Sequence, residues 1–156
     1  MSQSAAKPQT DLPGAVLFAC NLNCVRSPMA AALLRKRFGD RVYVDSCGIE
    51  AADGVDPFVA AVLAEQGLDV TRHAPKSFEA LDDGSFDLVV TLTPEAHRRA
   101  EALSAGRATE VERWRVSDPT LAEGGREQRL AAYRGLAKEI ERLIDARFGQ
   151  PSTAGA

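Results

Sequence analysis

Apolar positions along the chain fall into short runs separated by longer stretches of helical periodicity. Residues 14–19 (GAVLFA) form a continuous apolar run, the pattern of a strand covered on both faces. Further strands are predicted over 41–46 (RVYVDS), 86–92 (FDLVVTL) and 108–113. Between them the spacing changes to that of helices. Ser27 suits an N-cap and Pro28 a first helical position; Met29, Ala32 and Leu33 then share a face that ends at Phe38-Gly39. Asp56-Pro57 and Thr93-Pro94 repeat the cap-then-proline signature and open helices running to Gly67 and to about Leu103. A final helix over 126–147 brings Leu130, Tyr133, Leu136, Ile140, Leu143 and Ile144 into register.

Strands alternating with helices of this length predict an α/β fold built on a four-stranded parallel sheet. Nothing along the chain repeats or divides it, so 14–148 is expected to be one domain. Residues 1–13 read as a disordered lead-in and 149–156 as a frayed tail. At 156 residues the chain has room for one self-sufficient core.

Composition narrows the function. A net charge of −3 offers no surface able to neutralise a row of phosphates, which argues against nucleic-acid binding. No stretch reaches the roughly 18 apolar residues of a membrane span, and the N-terminus lacks a secretory apolar core. Three cysteines, an odd number, predict a reduced cytoplasmic protein with at least one thiol kept for chemistry. No metal site is expected, because His73 and His97 stand at no ligand spacing from Cys20 and Cys24. No feature of the sequence fixes an oligomeric state.

The chemistry concentrates at Val16-Leu-Phe-Ala-Cys20-Asn-Leu-Asn-Cys-Val-Arg26-Ser-Pro28, after the first strand. Ligands of parallel sheets bind at such carboxyl ends, near a topological switch point. A helix N-terminus offers unpaired amides and the positive end of a dipole to an anion. A loop wound over that end adds inward amides from Asn21, Leu22, Asn23, Cys24 and Val25, a nest for phosphate. Arg26 can grip two phosphate oxygens at once, and the same field favours a thiolate at Cys20.

Residues 16–30 resemble the signature loop of the low-molecular-weight protein tyrosine phosphatases, Cys, five residues, Arg-Ser-Pro. The likeness spans about 15–147 and includes Asp45-Ser46 before a glycine, Asp56-Pro57, Gly67 to His73, Phe86-Asp87 and Asp118-Pro119. It implies a three-layer fold and a phosphomonoester hydrolase that needs no cofactor and acts on phosphoprotein or small aryl phosphate. Cys20 then matches the nucleophile, Arg26 the phosphate-binding arginine and Asp118 the general acid. Ser27 matches the serine that supports the thiolate, and Asn23, Ser46 and His73 match a network holding the loop. On their residues alone, Asp118 could simply open a turn and His73 and Ser46 could be ordinary packing residues. His97 reads as solvated surface, and Trp114 as a packing residue beside the site.

This chain departs from the family at its loop and at its mouth. Leu22 stands where the family has glycine, and a positive φ there would strain a leucine, so a different turn is expected. Val25 replaces the cysteine before the arginine, with Cys24 one residue earlier, so the partner thiol's redox role does not carry over. Cys24 either curls back toward Cys20 or packs beneath the loop. Thr120, Leu121 and residues 49–52 supply no aromatic wall. Trp114 to Pro119 also resembles the acid loop of arsenate reductases sharing this fold. The thioredoxin-coupled type needs two cysteines near 85–100, and none is there, which leaves a type served by a small external thiol. A non-catalytic phosphoresidue-binding module is a third reading, although binding alone requires neither Cys20 nor Asp118.

Overall fold

The computed structural model describes residues 12–81 and 85–149; most of the expected lead-in and tail lies outside them. Strand β1 (Ala15–Cys20) is central because both its faces are apolar. It pairs with β2 (Tyr43–Gly48) on one side and β3 (Leu88–Thr91) on the other, and β4 (Glu110–Arg113) lies outside β3. All pairs are parallel, in the order β2-β1-β3-β4.

Helices α1 (Arg26–Phe38), α2 (Pro57–Ala64), α3 (Pro94–Ser104) and α4 (Arg126–Phe148) cover the sheet. Alternate side chains of β1 divide the core between its two faces. Val16, Phe18 and Cys20 join Met29, Leu34, Leu63, Tyr133, Leu136 and Ile140, which come from α1, α2 and α4. Leu17 and Ala19 join Phe78, Phe86, Val89, Ala96 and Ala100 on the α3 side. The result is the expected three-layer α/β domain.

Two caps behave as the sequence predicts. Asp56 Oδ1 accepts from Phe58 N at 2.8 Å, and Thr93 Oγ1 accepts from Ala96 N at 3.1 Å. The third does not. Helix α1 begins at Arg26 with Val25 as its N-cap and no side-chain cap bond, because Ser27 turns its hydroxyl elsewhere. Strand β2 also starts two residues late, since Gly39–Arg41 form a 3-10 turn. It then runs through Ser46, Cys47 and Gly48, where burial against β1 outweighs weak local preference. Helix α2 stops at Ala64, and the chain turns over to Gly67 at φ 79°. Among the described residues no helix is long and apolar enough to cross a membrane.

Trp114 follows β4 and is a packing residue. It is 5% exposed, with ring centroids 5.7 Å from Phe18 and 6.3 Å from Phe148. Trp114→Ala should destabilise the fold by about 3–5 kcal/mol, read as a lower urea midpoint at unchanged slope.

Candidate active site

Cys20 is the last residue of β1, and its strand neighbours β2 and β3 lie on opposite sides, so the loop beyond it sits at the sheet's switch point. The loop's geometry is set by where its carbonyls go. The carbonyl of Cys20 accepts from Ile49 N at 3.1 Å, that of Asn21 from Glu50 N at 2.9 Å, and that of Leu22 from Ala52 N at 3.1 Å. The Asn23 carbonyl bonds His73 Nε2 at 2.9 Å, and the Cys24 carbonyl accepts from Asp56 N at 3.0 Å. Five consecutive carbonyls are therefore held outward. In a planar trans peptide the C=O and the next N–H point in opposite directions. The amides of residues 21–25 consequently face inward, and among the described residues none of them has a protein acceptor. With the start of α1 beneath, this is an oxyanion nest.

Asn23 is the pivot. It is fully buried and is the one non-glycine residue at positive φ, 56°, among the described residues. Asparagine tolerates that region far better than leucine. Leu22 therefore escapes the strain expected of it and instead points outward, 47% exposed. The Asn23 amide nitrogen donates to Ser27 Oγ at 2.8 Å and to Ser46 Oγ at 3.0 Å, while its Oδ1 accepts from Lys76 N at 2.9 Å. Because a carbonyl only accepts, His73 must carry its proton on Nε2. Burial, ahead of any charge, holds the His73 pKa below its usual value. The network thus brings together Asn23, Ser27, Ser46 and His73, the set the resemblance implied.

Ser27 Oγ lies 2.9 Å from Cys20 Sγ and 3.3 Å from the Cys47 carbonyl. Asn23 already donates to this oxygen, so the single Ser27 proton goes either to the Cys47 carbonyl or to the nearer sulfur. Cys20, the loop, Arg26, Asp118 and Thr120 together line a cavity of about 200 Å3. The Arg26 guanidinium has no hydrogen-bond or ion-pair partner among the described residues. Asp118 Oδ1 accepts from Thr120 N and Thr120 Oγ1 at 3.0 and 2.6 Å, capping the turn Pro119–Leu121. The turn-opening role is real and leaves the second carboxylate oxygen unclaimed among the described residues.

Cys24 lines the same cavity and packs in part against the core. Burial, then the nearby Cys20 and Asp56, raise its pKa, with Arg26 pulling the other way. Cys47 is fully buried and shifted upward much further, again by burial first. All three cysteines are free thiols. His97 corrects the sequence reading: it is half-buried, with Nδ1 2.8 Å from Thr91 Oγ1 and Nε2 3.2 Å from Glu101.

Several supports were not legible in the sequence. Thr93 Oγ1 donates to Asn21 Oδ1 at 2.7 Å. Tyr133 was readable as a core position of α4, yet its hydroxyl also donates to Asp56 Oδ2 at 2.8 Å and so steadies the residue that holds the Cys24 carbonyl. Gly48 packs directly under the loop. A Cβ there would lie 2.7 Å from the Glu50 carbonyl oxygen, 2.8 Å from that of Asn21 and 2.8 Å from Asn23 N. A glycine closing a strand beside the loop was the available signal.

The sequence profile of the family described as low molecular weight phosphotyrosine protein phosphatase matches residues 15–149. The chain belongs to this family. It is 33% identical over 129 residues to an arsenate reductase of Halalkalibacterium halodurans, covering 83% of this chain and 91% of that one. It is 32% identical over 147 residues to a protein-arginine-phosphatase of Geobacillus stearothermophilus, covering 86% and 93%. The low molecular weight protein tyrosine phosphatase from T. tengcongensis superposes with a TM-score of 0.69 at 27% identity, covering 84% of this chain and 95% of that one. The four-stranded parallel sheet is the family's fold, and a phosphatase enzyme is what membership indicates.

Gly48→Ala should therefore damage the site more than the fold, because three backbone atoms of the loop region would have to yield. The expected outcome is at least about a tenfold loss in inorganic phosphate affinity with little change in thermal midpoint, measured by calorimetry on the same samples.

His73 predicts a pH effect. Its folded pKa is depressed, so the unfolded chain binds the proton first as pH falls below about 6.5. Its contribution to stability is present above that pH and is lost as pH drops toward the lower, folded value. The slope of unfolding free energy against pH over this window should shrink in His73→Gln.

Proposed function

We propose that this chain hydrolyses phosphomonoesters through a phosphocysteine on Cys20, with phosphotyrosine in protein or a small aryl phosphate as the substrate. The observation that carries this reading is the outward lock on the carbonyls of residues 20–24, which turns five amides onto the space above Cys20. A tetrahedral dianion needs donors of that kind around its equatorial oxygens, and Arg26 adds a two-pronged cation. In the first step Cys20 Sγ attacks phosphorus as the bond to the leaving oxygen breaks. Asp118 gives its proton to that oxygen, and Ser27 steadies the sulfur. In the second step water attacks phosphorus and passes a proton to Asp118. The S–P bond then breaks, and inorganic phosphate leaves. Positioning and electrostatics dominate both steps.

The mouth supports a permissive substrate range. Leu22 and Leu121 are 47% and 76% exposed, and no aromatic residue stands at 49–52 or 120–121 to sandwich a phenyl ring. Activity on small aryl phosphates should exceed any selectivity for phosphotyrosine peptides.

A second reading, arsenate reduction, is favoured by the likeness to the Halalkalibacterium halodurans protein. It would need an external thiol, since no cysteine stands near 85–100, where the thioredoxin-coupled type needs its two. One panel separates these readings. The protein, Cys20→Ser and Asp118→Asn are assayed on p-nitrophenyl phosphate, phenyl phosphate, phosphotyrosine peptides, and arsenate with small thiols. Cys20→Ser should lose turnover while still binding phosphate. Asp118→Asn should lose about 10²–10⁴ on phenyl phosphate and less on the better leaving group. Turnover surviving in Cys20→Ser would overturn the mechanism, as would equal losses across the two esters for Asp118. Thiol-dependent arsenate turnover above all ester hydrolysis would favour the second reading. Phosphate binding without any turnover would favour a binding module.

A further inference from the structure

Behind the loop lies a second cavity of about 400 Å3, within the size range of small-ligand sites. Helix α1, strand β2 and the segment 69–76 line it; its charged members are Arg35, Asp45, Asp69, Arg72 and Lys76, with Ser46 and the neutral ring of His73 beside them. Three cationic side chains against two carboxylates leave the lining net positive. Much of its bonding capacity is unused. Lys76 Nζ pairs with Asp45 Oδ1 at 2.6 Å, and Arg35 Nη2 donates to the Val44 carbonyl at 2.7 Å, each with donors to spare. The Arg72 guanidinium has no partner among the described residues.

Ser46 adds a buried donor. It is 3% exposed and accepts from Asn23, yet its own hydroxyl proton meets no acceptor among the described residues. Acceptors are also available. Asp69 uses Oδ1 for Thr71 N and Thr71 Oγ1, and Asp45 uses Oδ1 for Ser46 N and Lys76, which leaves both Oδ2 atoms unclaimed among the described residues. Guanidinium and ammonium donors suit a phosphate, and free carboxylate oxygens suit hydroxyl groups.

We propose that this rear cavity binds a small phosphomonoester of a polyol, of sugar-phosphate size, and that the bound ligand stiffens the loop in front of it. The coupling path is short. His73 Nε2 donates to the Asn23 carbonyl, and Lys76 N donates to Asn23 Oδ1, both at 2.9 Å. One segment therefore grips the loop's pivot by its backbone and by its side chain. A ligand on Asp69, Arg72 and Lys76 restrains that segment, and by reciprocity an oxyanion in the front cavity tightens binding behind. None of this depends on the reaction proposed for Cys20.

The test is a titration of isotope-labelled protein with glucose 6-phosphate, monitored by amide shifts, with glucose and inorganic phosphate in parallel. Saturable shifts over 69–76, absent with glucose and weaker with phosphate, are expected. Arg72→Glu and Arg72→Ala should weaken this binding, the first by about tenfold or more, while basal turnover of an aryl phosphate is unchanged. Asp69→Asn should remove the preference for the sugar phosphate over phosphate. Shifts confined to residues 21–26 would overturn the proposal. So would binding indifferent to Arg72, or phosphate binding as tightly as glucose 6-phosphate. Loss of the catalytic reading alone would appear as absent turnover with the 69–76 shifts intact.

Discussion

The site depends on one constraint: the carbonyls of residues 20–24 must each find a donor on the loop's outer side. Backbone carbonyls are obligatory acceptors, and a peptide plane that lost its outer donor would be free to rotate. Rotation would turn an amide out of the nest and a partial negative charge into it. The five donors come from four amides between Ile49 and Asp56 and from one histidine ring. Binding capacity in the loop is thus specified by chain well outside the loop.

That dependence explains the arrangement around it. The segment 49–56 can reach the loop because β2 runs in register with β1, placing Gly48 opposite Cys20, and because Gly48 has no side chain to hold the two apart. Asp56 serves twice, as the cap of α2 and as the donor to Cys24, and Tyr133 fixes its carboxylate from α4. Asn23 occupies the point where the chain must turn left-handed, and all of its side-chain polar groups are bonded. A buried polar network of this kind rigidifies when fully satisfied and is costly when it is not. The nest is therefore formed before any anion arrives.

The fold and the chemistry were legible where they arise from local pattern. Alternating runs announced the sheet, Asp56-Pro57 and Thr93-Pro94 announced their helices, and the Cys-to-Arg spacing marked the loop. The illegible features arise from contacts distant in sequence. Ser27 looks like a cap, yet the sulfur of Cys20 and the amide of Asn23 claim its hydroxyl. Leu22 looked strained only because the positive φ was assigned one residue early. His97 looked solvated because the sequence cannot reveal that Thr91 lies beneath it. Gly48 and Tyr133 act on the loop through partners more than twenty residues away, which no periodicity encodes.

The division between backbone and side chain also governs what the site can choose. Amides and a guanidinium recognise a tetrahedral oxyanion by shape and charge, and phosphate and arsenate are alike in both. In the proposed mechanism, discrimination comes from the steps after attack by the Cys20 sulfur. Ester hydrolysis asks for a proton on the leaving oxygen and then for water, and the Asp118 carboxylate in the same cavity would suit both. Reduction asks for a second thiol able to attack the first. Cys47 is fully buried, and burial raises the pKa of both it and Cys24. Disulfide chemistry runs through thiolates, so neither is poised as an internal resolving group. The chain's own residues therefore favour the hydrolytic course, and reduction would have to draw its second thiol from solution.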